Sequence, residues 1–296
     1  GGDTRRVEGH MIDEYFLRRP YKGDGSYKLA DGSVNPKGGP RDGMIRTKAD
    51  LDWVAAMMAA GYTFNNNLKN IGSDGSNLWY GDLIMDDVNG DGKYGNDDDR
   101  EFTGKSSTPK VTLGLNITAA WRGFDFSMIW SGRFGGYHYL NSKGANGSLI
   151  TNVGDALPGD AWSRFYSYDS EASHAGIIRN ENGTIIGSSY DPAADPNASI
   201  YNEYPRLLSS GGTTPSNTFY LYNTSFFKLK SLQIGYTLPK KWIAPAKISN
   251  MRVFVSGENL LTIKSSRFPG VDPELGSSLA VYPIARMFSG GLSVTF

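Results

Sequence analysis

The sequence predicts an all-β fold: a transmembrane antiparallel β-barrel wall with long loops, one of which carries a short helix. Three observations carry this. Segments of roughly 10–12 residues alternate between apolar and polar side chains, the period of a strand with two unlike faces. They exceed the ~5–6 residues usual for globular strands and match the length that crosses a bilayer at a tilt. Short connections alternate with much longer ones, as between strands that turn tightly at one membrane surface and loop widely at the other.

Taken in chain order, Arg6 to Leu17 is a weak strand candidate. Thr47 then opens a helix as N-cap, with Asp50 three residues on. Leu51, Val54, Ala55 and Met58 form its apolar stripe and Gly61 closes it. From Lys110 to Trp121 the alternation is clearest. Val111, Leu113, Leu115, Ile117, Ala119 and Trp121 share one face, opposite Thr112, Gly114, Asn116, Thr118 and Ala120. Arg122-Gly123 makes a tight turn, and Phe124, Phe126, Met128 and Trp130 resume the pattern to about residue 133.

Ser225 to Leu238 repeats it with Phe227 and Leu229, then Leu232, Ile234, Tyr236 and Leu238. The phase flips near Lys230-Ser231, which predicts a β-bulge. Asn250 to Ile263 is the next strand. Ala285 to Phe296 is the last, with Phe288, Leu292, Val294 and Phe296 on one face. Stretches 18–108, 134–224 and 264–284 are the long connections. By parity, if the short turns face the periplasm, these three lie outside the cell and Phe296 ends inside. About six strands are too few to close a barrel, since closed single-chain barrels start at eight. The 296 residues therefore read as the C-terminal part of a larger barrel.

Composition narrows the function classes. Gly is 37 of 296 residues, about 12.5% against a usual ~7%. Thirty basic and thirty acidic residues cancel, so no basic footprint for nucleic acid exists. The absence of Cys removes disulfide frameworks, thiolate nucleophiles and Cys-ligated zinc. Three scattered His residues form no metal-binding spacing. Neither a P-loop nor a G-x-S-x-G elbow occurs. With thirty acidic residues some pair will always fit a glycosidase, and Glu258, followed by Asn259 on a strand, is the one candidate worth naming. The chain reads as a non-enzyme with no organic cofactor.

The sharpest motif begins at Asp87. It matches the D-x-N-x-D-G start of a calcium loop, with Asp98 at position 12. Asp87, Asn89 and Asp91 supply side-chain oxygens, Lys93 its carbonyl and Asp98 the last carboxylate. Calcium in the 87–98 loop is the expectation; a solvated acidic turn is the plain alternative. Trp121, Trp130, Tyr236 and Phe296 suit an interfacial aromatic girdle. For Tyr137, Tyr139, Trp162, Tyr166 and Tyr168, stacking on a sugar stays open. No residue is assigned to substrate binding.

These residues also carry a family resemblance. Gly81-Asp82-Leu83, Asp87 to Lys93, Asp98-Asp99-Arg100, and Pro109 to Gly114 resemble the SusC/RagA family of TonB-dependent outer-membrane transporters. So do Ser225 to Pro239, Arg252 to Leu261, Pro269 to Glu274, Tyr282-Pro283 and the terminal Phe296. The resemblance implies a ~22-stranded barrel in the bacterial outer membrane, with an N-terminal plug and TonB box lying outside these 296 residues. It implies import of an oligosaccharide or peptide with a SusD-like surface lipoprotein. It also implies that Phe288, Leu292, Val294 and Phe296 form the signal read by the barrel assembly machinery. A soluble calcium-binding adhesion or carbohydrate-binding β-protein is the alternative.

Overall fold

The computed structural model describes residues 4–139, 164–206, 215–268, 272–275 and 284–296. The chain divides into two units. Unit 1 takes residues 1–10, 14–104 and 139–221, and unit 2 takes 11–13, 105–138 and 222–296.

Unit 2 contains the long strands. β1 (Val111–Trp121), β2 (Phe124–Phe134), β3 (Phe226–Thr237), β4 (Asn250–Lys264) and β5 (Met287–Thr295) form one sheet. They lie side by side in chain order, every neighbour antiparallel. Each predicted boundary falls within two residues of the observed one. Arg122 and Gly123 turn β1 into β2 with both φ positive, 49° and 89°, the geometry of the twisted two-residue hairpin. A Cβ on Gly123 would lie 2.8 Å from the Thr237 carbonyl oxygen, so glycine is needed there for space as well. The β3–β4 connection at the same end is short, while those after β2 and β4 are long.

The bulge falls where the phase flip predicts. Registers against both β2 and β4 shift between Leu229 and Ser231. A second irregularity escaped the sequence reading. β4 places two residues, Asn259 and Leu260, opposite Lys230 alone. Asn259 takes φ 54°, a left-handed conformation that Asn tolerates better than most residues.

The sixth strand is corrected. Only Glu14–Leu17 and Thr4–Arg5 of the N-terminal region are strands, and they pair outside the five-stranded sheet. The stretch Arg6 to Leu17 lacks the long strict alternation that the other five possess.

Unit 1 contains a hydrophobic core of Tyr21, Met44, Leu51, Trp53, Phe64, Trp79, Tyr80 and their neighbours. Helix α1 (Lys48–Ala59) begins as predicted: Thr47 and Asp50 form a reciprocal capping box. Gly61, at φ 96°, follows the C-cap residue Ala60. Its buried face is wider than the predicted stripe, because Trp53 and Met57 are buried with Leu51 and Val54. Gly39 clears space for this: a Cβ there would lie 2.7 Å from the Trp53 ring. The Trp53 indole N–H donates to the Asn35 carbonyl at 2.8 Å.

A charged pair is embedded in the same unit. Arg206 and Asp82 are 5% and 2% exposed and joined bidentately, Nε to Oδ1 at 2.8 Å and Nη2 to Oδ2 at 2.7 Å. Asp82 also accepts the Trp79 backbone N–H, so both partners are multiply satisfied.

Candidate functional site

The sheet of unit 2 is two-faced. Directly opposed residues in antiparallel strands share a face, so the registers assign every side chain. One face gathers Leu113, Leu115, Ile117, Phe126, Met128 and Trp130 from β1 and β2. It continues through Leu229, Leu232 and Ile234, then Val253 and Val255, to Phe288 and Leu292. Because the bulge adds a residue, Leu229 and Leu232 stay on this face across the phase flip. Many of these side chains are exposed, Val255 at 58%, Leu292 at 56% and Phe288 at 78%. The opposite face carries Asn116, Thr118, Ser127, Gln233, Arg252, Ser256 and Ser293, interrupted by Ile129, Phe254 and Met287.

A continuous exposed apolar face this wide is far beyond what water tolerates on a monomer. At ~3.3 Å per residue and ~45° tilt, eleven residues rise about 25 Å, the height of a barrel's apolar band. Among the described residues nothing pairs with the outer edges of β1 and β5. No helix is long and apolar enough to cross a membrane, which does not bear on strands.

The polar face has its own construction. Arg252 on β4 reaches across β3 to Asp125 on β2, with Nε to Oδ2 at 2.9 Å and a second bond from Nη2 to Oδ1. Gly235 lies beneath the pair: a Cβ there would be 2.5 Å from Asp125 Oδ2 and nearer still to Arg252 Nη2. Gly291 similarly leaves room for the Phe254 ring.

Aromatics at the short-turn end form a row. Trp121 opposes Phe124, and Phe124 opposes Tyr236, with the last two rings 4.5 Å apart. Trp121 is 67% exposed with the Arg122 guanidinium over its ring. Trp130 stands elsewhere, stacked on Phe227 well up the strand. Of the tyrosines left open for sugar stacking, Tyr139 and Tyr166 are buried and Tyr168 is half-buried. Trp162 lies outside the described residues. Glu258 is exposed, opposite Ser231 and Met287.

Of the four residues read as the assembly signal, Phe288, Leu292 and Val294 line β5 on the apolar face, opposite Gly257, Val253 and Met251. Phe296 follows the strand and is 86% exposed.

Unit 1 holds the acidic loop. Asp87 accepts backbone N–H groups from Gly90, Asp91 and Gly92 at 2.8–3.1 Å. Asn89 accepts from Asp91, and Asp91 from Lys93. Asp98, assigned position 12, is exposed, and its carboxylate has no hydrogen-bond partner among the described residues. Its neighbour Asp99 is fully buried and accepts four backbone N–H groups, from Val88, Asn89, Gly95 and Asn96. Burial pushes the Asp99 carboxyl up, against the pull of those four amides.

Among the described residues no three His or acidic side chains converge as a metal cluster. Sequence spacing therefore found the loop but missed its central carboxylate. A signal existed, since Asn96 and Asp99 form a capping box around Asp97–Asp99. Two arginines from far upstream brace the loop. Arg18 donates to the Asn96 carbonyl and Asp97, and Arg19 to Asp86. Arg100, then Arg18, hold Asp97 below the usual carboxylate range.

Another ionic cluster joins residues that lie 44 positions apart in two motifs. Lys228, 1% exposed, meets Asp272 at 2.5 Å and Glu274 at 3.2 Å, and Lys230 meets Glu274 at 2.5 Å. Two residues apart on β3, both lysines reach Glu274 from the same side. Pro269-Gly270-Val271 and Tyr282-Pro283 lie outside the described residues.

With this geometry in view, the sequence comparisons are specific. The chain is 26% identical over 235 residues to TonB-dependent receptor P3 of Formosa agariphila, covering 73% of this chain and 19% of that one. It is 24% identical to TonB-dependent receptor SusC of Bacteroides thetaiotaomicron, covering 71% and 17%. The relatives it is similar to are TonB-dependent receptors, SusC among them. It spans about a fifth of the length of the curated relatives it matches. No family profile matches it. Among solved structures, the RagAB peptide importer in its closed-closed state covers 79% of this chain and 22% of its own, at 21% identity and TM-score 0.48. The RagAB peptide transporter gives 22% and 0.46 over the same shares.

Proposed function

We propose that this chain forms a wall segment, with attached outer loops, of a TonB-dependent importer in the bacterial outer membrane. The observation that carries this is the five-stranded meander, apolar and exposed on one face, polar on the other, with both edges unpaired among the described residues. An open edge cannot persist in lipid, where each unsatisfied backbone group is costly. Further strands of a ~22-stranded barrel complete it. The apolar face meets lipid and the polar face meets the lumen. The long connections lie outside the cell, and β5 with Phe296 is the segment read by the assembly machinery. Cargo is an oligosaccharide or peptide, a SusD-like lipoprotein covers the outer mouth, and TonB energises transport from a region beyond these residues.

These 296 residues contain no Cys, which makes the test direct. Single cysteines at Leu115, Ile117 and Met128, and at Asn116, Thr118 and Ser127, are treated with a water-soluble maleimide on outer membranes of producing cells. The second set is expected to label and the first to resist. Equal labelling of the two sets overturns the barrel reading.

We further propose that the 87–98 loop takes a calcium ion through Asp87, Asn89, Asp91, the Lys93 carbonyl and Asp98. The residue types support it, as does a first-position Asp87 already closed on three successive amides. Calorimetric titration of the chain with Ca²⁺ is expected to give heat that the paired substitutions Asp87→Ala and Asp91→Ala abolish. Identical heats end the idea.

A further inference from the structure

We propose that the short-turn end of the unit 2 sheet binds the headgroups of anionic glycerophospholipids. This rests on the reading of the sheet as a membrane wall and adds to it a preference for one chemical class of lipid.

Charge is concentrated at that end. The chain as a whole balances thirty basic residues against thirty acidic ones. The two short connections, residues 122–123 and 238–249, contain Arg122, Lys240, Lys241 and Lys247 and no acidic residue. All four cations are exposed. Among the described residues none of the four meets a carboxylate, whereas Lys228, Lys230 and Arg252 in the same unit each do. Asp125, the acidic residue nearest Arg122 in sequence, is held by Arg252.

Backbone bonds knit the two connections into one frame. The Thr237 N–H donates to the Gly123 carbonyl at 2.7 Å, and the Leu238 N–H to the Met251 carbonyl at 2.9 Å. On the far side the Ser249 N–H donates to the Thr295 carbonyl at 2.8 Å. Between them a helical turn, Lys240–Ile243, buries Ile243 and leaves its two lysines outside.

Aromatic rings accompany the cations. Trp121 and Trp242 are the two exposed tryptophans among the described residues, and both lie at this end. Trp121 begins the row on the apolar face that continues through Phe124 and Tyr236. Indole rings settle at the headgroup level of a bilayer, where Lys and Arg extend toward phosphates. The Arg122 guanidinium, 4.9 Å over the Trp121 ring, combines both features, and its planar fork suits a phosphate.

Charge selects among lipids. A zwitterionic headgroup brings its own ammonium, which offsets the attraction of its phosphate to unpaired cations. A headgroup of net negative charge gains from each of them. Inorganic phosphate has the charge but no acyl chain to lie against the aromatic row.

The test is calorimetric titration of the full-length protein in detergent micelles with short-chain phosphatidylglycerol, short-chain phosphatidylcholine and inorganic phosphate. Phosphatidylglycerol is expected to bind at least about fivefold tighter than phosphatidylcholine, the effect of one cation near an anionic headgroup. Arg122→Gln, Lys240→Gln, Lys241→Gln and Lys247→Gln together are expected to bring the two lipids within about twofold. Lys240→Arg, Lys241→Arg and Lys247→Arg together keep the preference, and high salt narrows it. Mobility of unboiled protein on a denaturing gel reports an intact barrel. If the fourfold variant fails that check, the four single Gln substitutions replace it, each expected to lower the preference. Equal affinity for the two lipids, an unchanged preference in the Gln variants, its loss in the Arg variant, or displacement of the lipid by equimolar inorganic phosphate overturns the proposal. The wall reading is tested separately by the cysteine pattern on the sheet, so a sheet that labels as expected without lipid preference removes this inference alone.

Discussion

Arg252 and Asp125 are bonded across an intervening strand, and the residue between them is Gly235. Three strands are thereby tied on the polar face by one ion pair that needs a missing side chain. Gly235→Ala is expected to push the pair apart and destabilise the sheet by about 1–3 kcal/mol, the usual cost of overpacking. Thermal unfolding in detergent checks it. Asp125→Asn, which weakens the pair without adding bulk, should cost less.

Asp82→Ala leaves Arg206 buried without its counter-charge. Loss of one member of a buried pair costs about 3–5 kcal/mol. Denaturant unfolding followed through Trp53 and Trp79, both in the unit 1 core, should shift accordingly. Replacing both residues with apolar ones of similar volume should recover much of the loss.

Within the acidic loop, Asp99→Ala is expected to disorder residues 87–99, because four backbone amides lose their acceptor at once. Asp98→Ala should leave amide exchange in that loop unchanged when no calcium is present. Equal protection loss in the two variants would remove Asp99 from the centre of the loop.

Glu274 responds to pH. Burial opposes its ionisation, but hydrogen bonds from Lys230 and Lys228 outweigh this and hold the carboxyl below its ordinary 4.5. A depressed folded-state value means the stabilisation is complete above pH 4.5 and is lost as pH falls through the lower folded value. Protease cleavage near residues 272–275 should rise in that acidic window and stay flat above it. Glu274→Gln should abolish the pH dependence.

Removing Phe296 should leave the register of β5 intact, since pairing ends at Thr295 opposite Asn250. Under the proposed assembly role, surface levels of the full-length protein should fall, measured by whole-cell labelling. Normal levels would remove Phe296 from the assembly signal.

The five strands were legible because each residue in them meets one of two unlike surroundings, and that alternation is written at period two. The bulge at Lys230 was legible for the same reason, as a break in phase. Asn259 was not, because a single left-handed residue leaves the hydrophobic pattern unchanged. The core of unit 1 was hidden differently. Its large residues come from turns and short bridges with no period, and Asp82 and Arg206 are 124 positions apart. Counting along a calcium-loop template reaches Asp98 and is silent on Asp99, the carboxylate that the backbone closes around.

Unit 1 is assembled from segments on either side of the β1–β2 hairpin. A chain emerging in order reaches Asp82 and Trp79 long before Arg206 and Ser173, which complete their contacts. Its early half must therefore wait, half-made, through synthesis of the first hairpin. The order of translation becomes a timetable, and a chaperone that shields residues 14–104 in that interval has a defined client.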